Sequence, residues 1–287
     1  MGATTYGLKG FAKSIQDMKR TDQVLPVLFT SHGNPMDIPI PAYGNPFTSY
    51  LGDTGKQIRE KYKVNAILVV SAHWCTNGTY VNTSPWPETL YDYYGFPANY
   101  YTEKYPAPGA PEIAKVIASN ISTINETTDW GFDHGNWPML KHLFPKADVP
   151  VFQLSIDYYK PPQYHYDLAL QLKKYRKKGV LIIGSGALVH NLQLAMAKMQ
   201  RRDTKLYGWE MEFDSWIKQR IDARDLKSII NYETNKLGLL AAPTPDHYVP
   251  LIYSMALADS RDEIIHTYSE MLPGFSNRSF IIEQVDK

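Results

Sequence analysis

The stretch Ile67-Leu68-Val69-Val70-Ser71-Ala72-His73-Trp74 decides how this chain is read. Four branched apolar residues run without a polar break, then give way to small residues and a histidine. Strands of a parallel sheet are covered on both faces, so they read as unbroken apolar runs rather than as alternations. The same pattern recurs in Leu28-Phe29-Thr30-Ser31-His32-Gly33 and in Val180-Leu181-Ile182-Ile183-Gly184-Ser185-Gly186, with His190 a short way beyond. In open α/β sheets, ligands bind just past the carboxyl ends of the strands. Imidazoles gathered at that edge point to a site, and a metal ion is the simplest reason to collect several there.

Working outward, the pattern predicts further strands over 149–156 and 279–283, the last placed at a sheet edge. Helices are expected over 53–62 (Asp53 as N-cap), 111–118, 164–175, 192–199, 209–223 and 248–258. This alternation predicts an α/β fold: a single domain with a central, mostly parallel or mixed sheet flanked by helices. Residues 1–22 read as a tail or peripheral helix, and 23–287 as one catalytic domain with no linker inside it. The Tyr-, Pro- and Trp-rich segment 74–105 is long for a connection and is expected to form a wall or lid over the site.

Bulk composition excludes several classes. Lys+Arg at 30 against Asp+Glu at 29 gives a net charge of +1, which is no footprint for nucleic acid or an anionic membrane, where a clustered basic excess is expected. No apolar run approaches the length of a membrane span. The single cysteine, Cys75, rules out an intrachain disulfide framework and fits a reducing, cytoplasmic setting, although a removed leader stays open. Cys75 itself reads as a buried, inert thiol.

The chain has eight histidines. His142, His165 and His266 lie in helix-like or surface segments and read as structural. His32, His73, His134, His190 and His247 lie among glycines, prolines and small residues, where tight turns can fix a rigid set of ligands. Any one alone reads as a hydrogen-bonded loop histidine, whereas the five together point to a site. No HExxH and no CxxC is present, so a metal site must be assembled from loops distant in sequence. No phosphate-binding glycine loop follows a strand, and Gly184-Ser185-Gly186 is not a nucleophile elbow, which leaves Ser185 as a small residue at a strand end.

Seven motifs occur in one order: Ser31-His32-Gly33-Asn34-Pro35-Met36, Val70-Ser71-Ala72-His73-Trp74, Tyr94-Gly95-Phe96-Pro97, Tyr105-Pro106-Ala107-Pro108-Gly109, Trp130-Gly131-Phe132-Asp133-His134-Gly135, Val151-Phe152-Gln153-Leu154-Ser155-Ile156 and Pro243-Thr244-Pro245-Asp246-His247-Tyr248. From about Pro26 to near its end, the chain resembles the class III extradiol ring-cleavage dioxygenases, and most closely their 4,5-DOPA extradiol dioxygenase group of bacteria and plants. The resemblance implies one divalent metal per chain, held by His32, His73 and His247. It makes His190 either a fourth ligand or an acid/base, and puts His134 in the substrate pocket. His190 and His134 are then the candidates for proton transfer. In the wider superfamily a glutamate often stands where His247 does here. A histidine-rich set suits Zn²⁺, the ion expected to be found, whereas oxygen activation needs Fe²⁺. The segment 186–192 is similar to the bacterial rather than the plant form, which bears on substrate.

The implied partners are a small-molecule catechol such as DOPA and O₂, with no nucleic acid or membrane, in a monomer or small homo-oligomer. A catechol would chelate through both oxygens, lose a proton to a nearby imidazole and open outside the diol. Asn34, Trp74 and Tyr248, beside the three ligand histidines, are expected to shape the substrate site. Two alternatives stand beside this reading: a zinc-dependent hydrolase on the same scaffold, and a non-enzymatic metal-binding relative.

Overall fold

The quoted runs are three neighbouring strands at the centre of a sheet. A computed structural model describes residues 23–285, so the expected tail at 1–22 lies outside the described residues. The strands are β1 (Val27–Thr30), β2 (Ala66–Thr76), β3 (Thr79–Asn82), β4 (Ile124–Thr127), β5 (Val151–Asp157), β6 (Val180–Ser185), β7 (Asp262–Tyr268) and, after a small hairpin of β8 (Met271–Leu272) and β9 (Phe275–Ser276), β10 (Ser279–Gln284). Eight of them form one sheet in the order β4-β3-β5-β2-β6-β1-β10-β7. The block β5-β2-β6-β1 is parallel throughout. Antiparallel pairings flank it, β3 with β5 on one side and β1-β10-β7 on the other.

Helices cover both faces, and the period-2 alternation of the strands sorts the core between them. Val27, Phe29, Leu68, Val70, Phe152, Leu154 and Ile182 pack with α2 (Pro111–Asn120), α4 (Pro162–Leu172), α6 (Trp209–Asp222) and α9 (Val249–Ala256). Leu28, Ile67, Val69, Val151, Leu181 and Ile183 pack with α1 (Pro46–Lys61) and α3 (Trp137–Leu143). The shorter α5 (Leu192–Gln200), α7 (Leu226–Ile230) and α8 (Gly238–Ala241) complete the α-helices of the described residues. None is long and apolar enough to cross a membrane.

Three expectations need correction. First, α1 begins at Pro46, not at Asp53. Asn45 caps it, accepting from Thr48 N at 2.7 Å while Thr48 Oγ1 accepts from Asn45 N at 3.1 Å. Two glycines inside the helix weakened its signal. At Gly55 a Cβ would strike the Leu143 carbonyl, so the residue permits α1 to approach the end of α3.

Second, β10 is an interior strand, between β1 and β7, and β7 is the edge. The segment Asp262-Glu263-Ile264-Ile265-His266-Thr267-Tyr268 carries no long apolar run because an edge strand stays partly exposed.

Third, β2 does not stop at His73. Its pairing with β5 runs from Ile67 to Val70, breaks, and resumes at Cys75 opposite Ile156. Residues 71–74 bulge opposite Ser155, and His73 is carried on that bulge.

At the amino ends of the strands, the buried Arg176 ties three elements together. Its guanidinium donates to Asp262 Oδ2 at 2.6 Å and Oδ1 at 3.0 Å, and to the carbonyls of Leu25 and Leu257, both at 2.8 Å.

Candidate metal centre

His32 follows β1, His73 rides the β2 bulge and His190 follows β6, all at the carboxyl edge of the parallel block. Two loops bring the other histidines to that edge. His134 lies in the loop before α3, and His247 in the turn before α9. Backbone bonds knit these loops to the sheet: Gly186 N donates to Thr30 O at 3.1 Å, and Ala187 N to His247 O at 2.9 Å. Gly33, at φ +77°, takes the left-handed conformation that closes the turn after His32.

The five rings converge. The His32 centroid lies 4.8 Å from that of His73, 5.4 Å from His247 and 5.6 Å from His134. His73 and His134 are 3.6 Å apart, His73 and His247 5.0 Å. The His190 ring stacks face to face on His247 at 3.4 Å and contacts Phe275 at 4.9 Å. One ring nitrogen each of His32, His73 and His134 can meet within 4.8 Å, and so can ligand atoms of His190, Asp246 and His247.

The outer nitrogens are already committed. Ser185 Oγ donates its one hydrogen to the Gly135 carbonyl, so it accepts from His32 Nδ1, 3.0 Å away. Asp246 accepts from His247 Nδ1. Asp92 Oδ2 lies 2.8 Å from His134 Nδ1 and 3.3 Å from His73 Nδ1, and its Oδ1 accepts from His134 N at 2.7 Å. Carboxylate and hydroxyl partners of this kind orient metal-binding imidazoles and fix their tautomers. Burial works against the Asp92 carboxylate, but its bonds to His134 and His73 outweigh this and hold it well below the usual range.

Burial and neighbouring imidazoles push the pKa values of His32 and His247 well below the ordinary histidine value. Burial and nearby His73 lower His134 as well, and burial takes His190 down to about 4. A second polar layer supports the cluster. The fully buried Asp133 accepts from Ser71 Oγ at 2.7 Å, Gln153 Nε2 at 2.8 Å and Trp130 Nε1 at 2.9 Å, and Ser71 Oγ in turn receives His73 N at 3.2 Å. Burial and Asp92 raise the Asp133 pKa.

This donor set fits a divalent cation. His32 Nε2 and His73 Nε2 face each other at 3.1 Å. His247 Nε2 is buried with no partner among the described residues. A shared proton would answer the first pair alone, whereas the donors grouped closely enough for an ion are His32, His73 and His134 on one side and His190, Asp246 and His247 on the other.

The expected substrate residues are placed less simply. Tyr248 is a correction: it is fully buried in the core, its hydroxyl bonded to Ile229 O at 3.0 Å and its ring stacked on Tyr232 at 3.9 Å, which leaves no surface for a substrate. Trp74 is almost wholly covered and stacks at 6.1 Å on Trp130. The Asn34 side chain caps the turn at Pro35–Asp37, accepting from Met36 N and donating to Asp37 Oδ2. Cys75 is exposed rather than buried. Its thiol is nevertheless pushed up to about 12, first by desolvation and then by Asp246 and Asp133, which keeps it inert.

Of the aromatic segment, Asp92 and Tyr93 reach the cluster, with the Tyr93 ring edge-on to His134 at 5.5 Å. Other parts form β3 and pack away from it. Asp92 and Asp246 were not singled out from sequence, and Ser185 was read there only as a small residue at a strand end. The signal for Asp246 was its place beside His247. That for Asp92 was its place as the one acid among the aromatics of 90–101.

Comparison with known proteins gives the chain its family. Residues 26–277 match the family described as the catalytic LigB subunit of aromatic ring-opening dioxygenase. The chain is 34% identical over 256 residues to a 4,5-DOPA dioxygenase extradiol of Escherichia coli (strain K12), covering 87% of this chain and 91% of the relative. It is 35% identical over 257 residues to one of Beta vulgaris, covering 87% of this chain and 93% of the relative. A solved structure of an uncharacterized protein from Escherichia coli K12 superposes with a TM-score of 0.74 at 32% identity, over 90% of this chain and 99% of that one. With a metal-competent histidine cluster at the carboxyl edge of its sheet, the chain belongs to the LigB family of aromatic ring-opening dioxygenase catalytic subunits and is an extradiol ring-cleaving oxidoreductase.

Proposed function

We propose that the chain cleaves the ring of a catechol such as DOPA at the 4,5 position with O₂, at one divalent ion held by His32, His73 and His247. This reading rests on the facing Nε2 atoms of His32 and His73, with the His247 ring centroid 5.4 and 5.0 Å from theirs and its buried Nε2 without a partner among the described residues. When bound, the ion supplies Lewis acidity that favours the catecholate and, as Fe²⁺, the redox capacity that O₂ needs. Zn²⁺ suits the same imidazoles and is the ion expected to displace iron during handling. The rest of the chemistry falls to side chains. Burial keeps His190 and His134 neutral at pH 7, and neutral imidazole is the form that accepts a catechol proton. His190 is favoured for that step, because it follows β6 at the same edge as the ligand histidines, with its half-buried ring stacked on His247. Tyr93, edge-on to His134, offers an apolar wall for a flat ring. The single cysteine supports a cytoplasmic setting.

The test is oxygen uptake by protein loaded anaerobically with Fe²⁺, across a panel of catechols including DOPA, followed by absorbance of the ring-opened semialdehyde. Stoichiometric O₂ consumption with a yellow product supports the proposal. Hydrolysis of esters or amides by the Zn²⁺ form, without O₂ uptake by the Fe²⁺ form, would replace it with a hydrolase.

A further inference from the structure

One carboxylate serves two of these histidines. Asp92 Oδ2 is 2.8 Å from His134 Nδ1 and 3.3 Å from His73 Nδ1, while Oδ1 takes the backbone N–H of His134 at 2.7 Å. The two rings are in contact, with centroids 3.6 Å apart. An ionised carboxylate only accepts hydrogen bonds, so both Nδ1 atoms face it as donors. The side chains flanking Asp92 are anchored. On one side the Tyr91 hydroxyl donates to Glu103 O at 2.6 Å, and on the other the Tyr93 hydroxyl donates to Tyr100 O at 2.5 Å. Nor is the carboxylate needed to join its loop to the His134 loop. Leu90 N to Phe132 O at 2.8 Å and Phe132 N to Glu88 O at 2.7 Å already do that.

We propose that Asp92 is a positioning residue that locks His73 and His134 as one unit, holding the hydrogen of both rings on Nδ1 so that each presents a bare Nε2. This rests on the reading of His73 as a ligand and His134 as a pocket base. It makes metal affinity and the state of the pocket base depend on the same side chain. Outer partners of ligand imidazoles typically change metal affinity 10–100-fold. Here a single removal also releases the second ring.

The experiment compares wild type with Asp92→Asn and Asp92→Ala. Long-range ¹H–¹⁵N spectra of ¹⁵N-histidine-labelled, metal-free protein report which ring nitrogen carries the hydrogen, assigned with His73→Gln and His134→Gln. Zn²⁺ affinity is read by chelator competition, and folding by circular dichroism. In wild type both rings are expected as Nδ1–H tautomers. In the Asp92 variants both should gain the Nε2–H form, with Zn²⁺ affinity down about 10–100-fold and the dichroism spectrum retained. Unchanged tautomers in Asp92→Asn, or a change confined to one ring, would overturn the proposal, and Asp92→Asn decides alone if Asp92→Ala does not fold. A wild type that takes up no Zn²⁺ would overturn the metal reading instead, because the tautomers are read without metal.

Discussion

His32 Nε2 and His73 Nε2 stand 3.1 Å apart, and the outer nitrogen of each ring is already engaged, by Ser185 and Asp92 respectively. With both rings neutral, two lone pairs face each other, an arrangement that a cation relieves. His32→Ala, His73→Ala and His247→Ala should therefore each lose bound metal while keeping their dichroism spectra. Metal analysis after dialysis checks this, and normal content in two of the three variants would sink the ligand assignment. Zn²⁺ at about 100 times its Kd should stabilise the wild type by about 2.7 kcal/mol over chelator-treated protein.

His190→Gln should keep its metal and lose turnover by about 10²-fold or more, the usual share of general base catalysis. His134→Gln should show a smaller loss. Steady-state kinetics with parallel metal analysis separates the cases. Full activity in both variants refutes the proton-transfer role, and loss of metal from His190→Gln makes that residue a ligand.

Stability should fall as pH drops from ~6.5 toward ~4, and the buried His165 is one of the histidines responsible. Burial on α4 takes its pKa down to about 4, against about 6.5 in an unfolded chain. Between those values the unfolded state binds more protons, so the contribution is fully present above pH ~6.5 and lost as pH falls toward ~4. One such group amounts to on the order of 3 kcal/mol. Urea midpoints of metal-free protein at two pH values should show a clearly shallower pH slope in His165→Leu. A variant as pH-sensitive as wild type would contradict the assignment.

Asp262→Ala should be among the most damaging changes far from the histidines. It strips the one acidic partner that Arg176 has among the described residues, and an uncompensated buried charge costs about 3–5 kcal/mol. Thermal or urea unfolding measures the loss; a cost below ~1 kcal/mol would mean that the Leu25 and Leu257 carbonyls suffice.

The interior of the fold was legible because β1, β2, β5 and β6 are covered on both faces, which leaves unbroken apolar runs in the sequence. The rim was not. β7 is half exposed and mixes charges with isoleucines, and β10 was misplaced because its short apolar run does not reveal a neighbour on its far side. The histidines were legible as a group because turn residues surround them. Their carboxylate partners were not, because Asp92 and Asp246 are ordinary surface-type residues in sequence and acquire meaning only through ring nitrogens brought from elsewhere. Tyr248 misled for the opposite reason: adjacency to His247 suggested the pocket, but on this turn the neighbouring side chain points into the core.

The Arg176 tie sits at the amino ends of the strands, across the sheet from every histidine of the cluster. Changes that retune which aromatic ring enters can therefore accumulate in the loops of the carboxyl edge without touching this cross-link. Such a division leaves the enzyme room to drift toward new substrates while its scaffold stays folded.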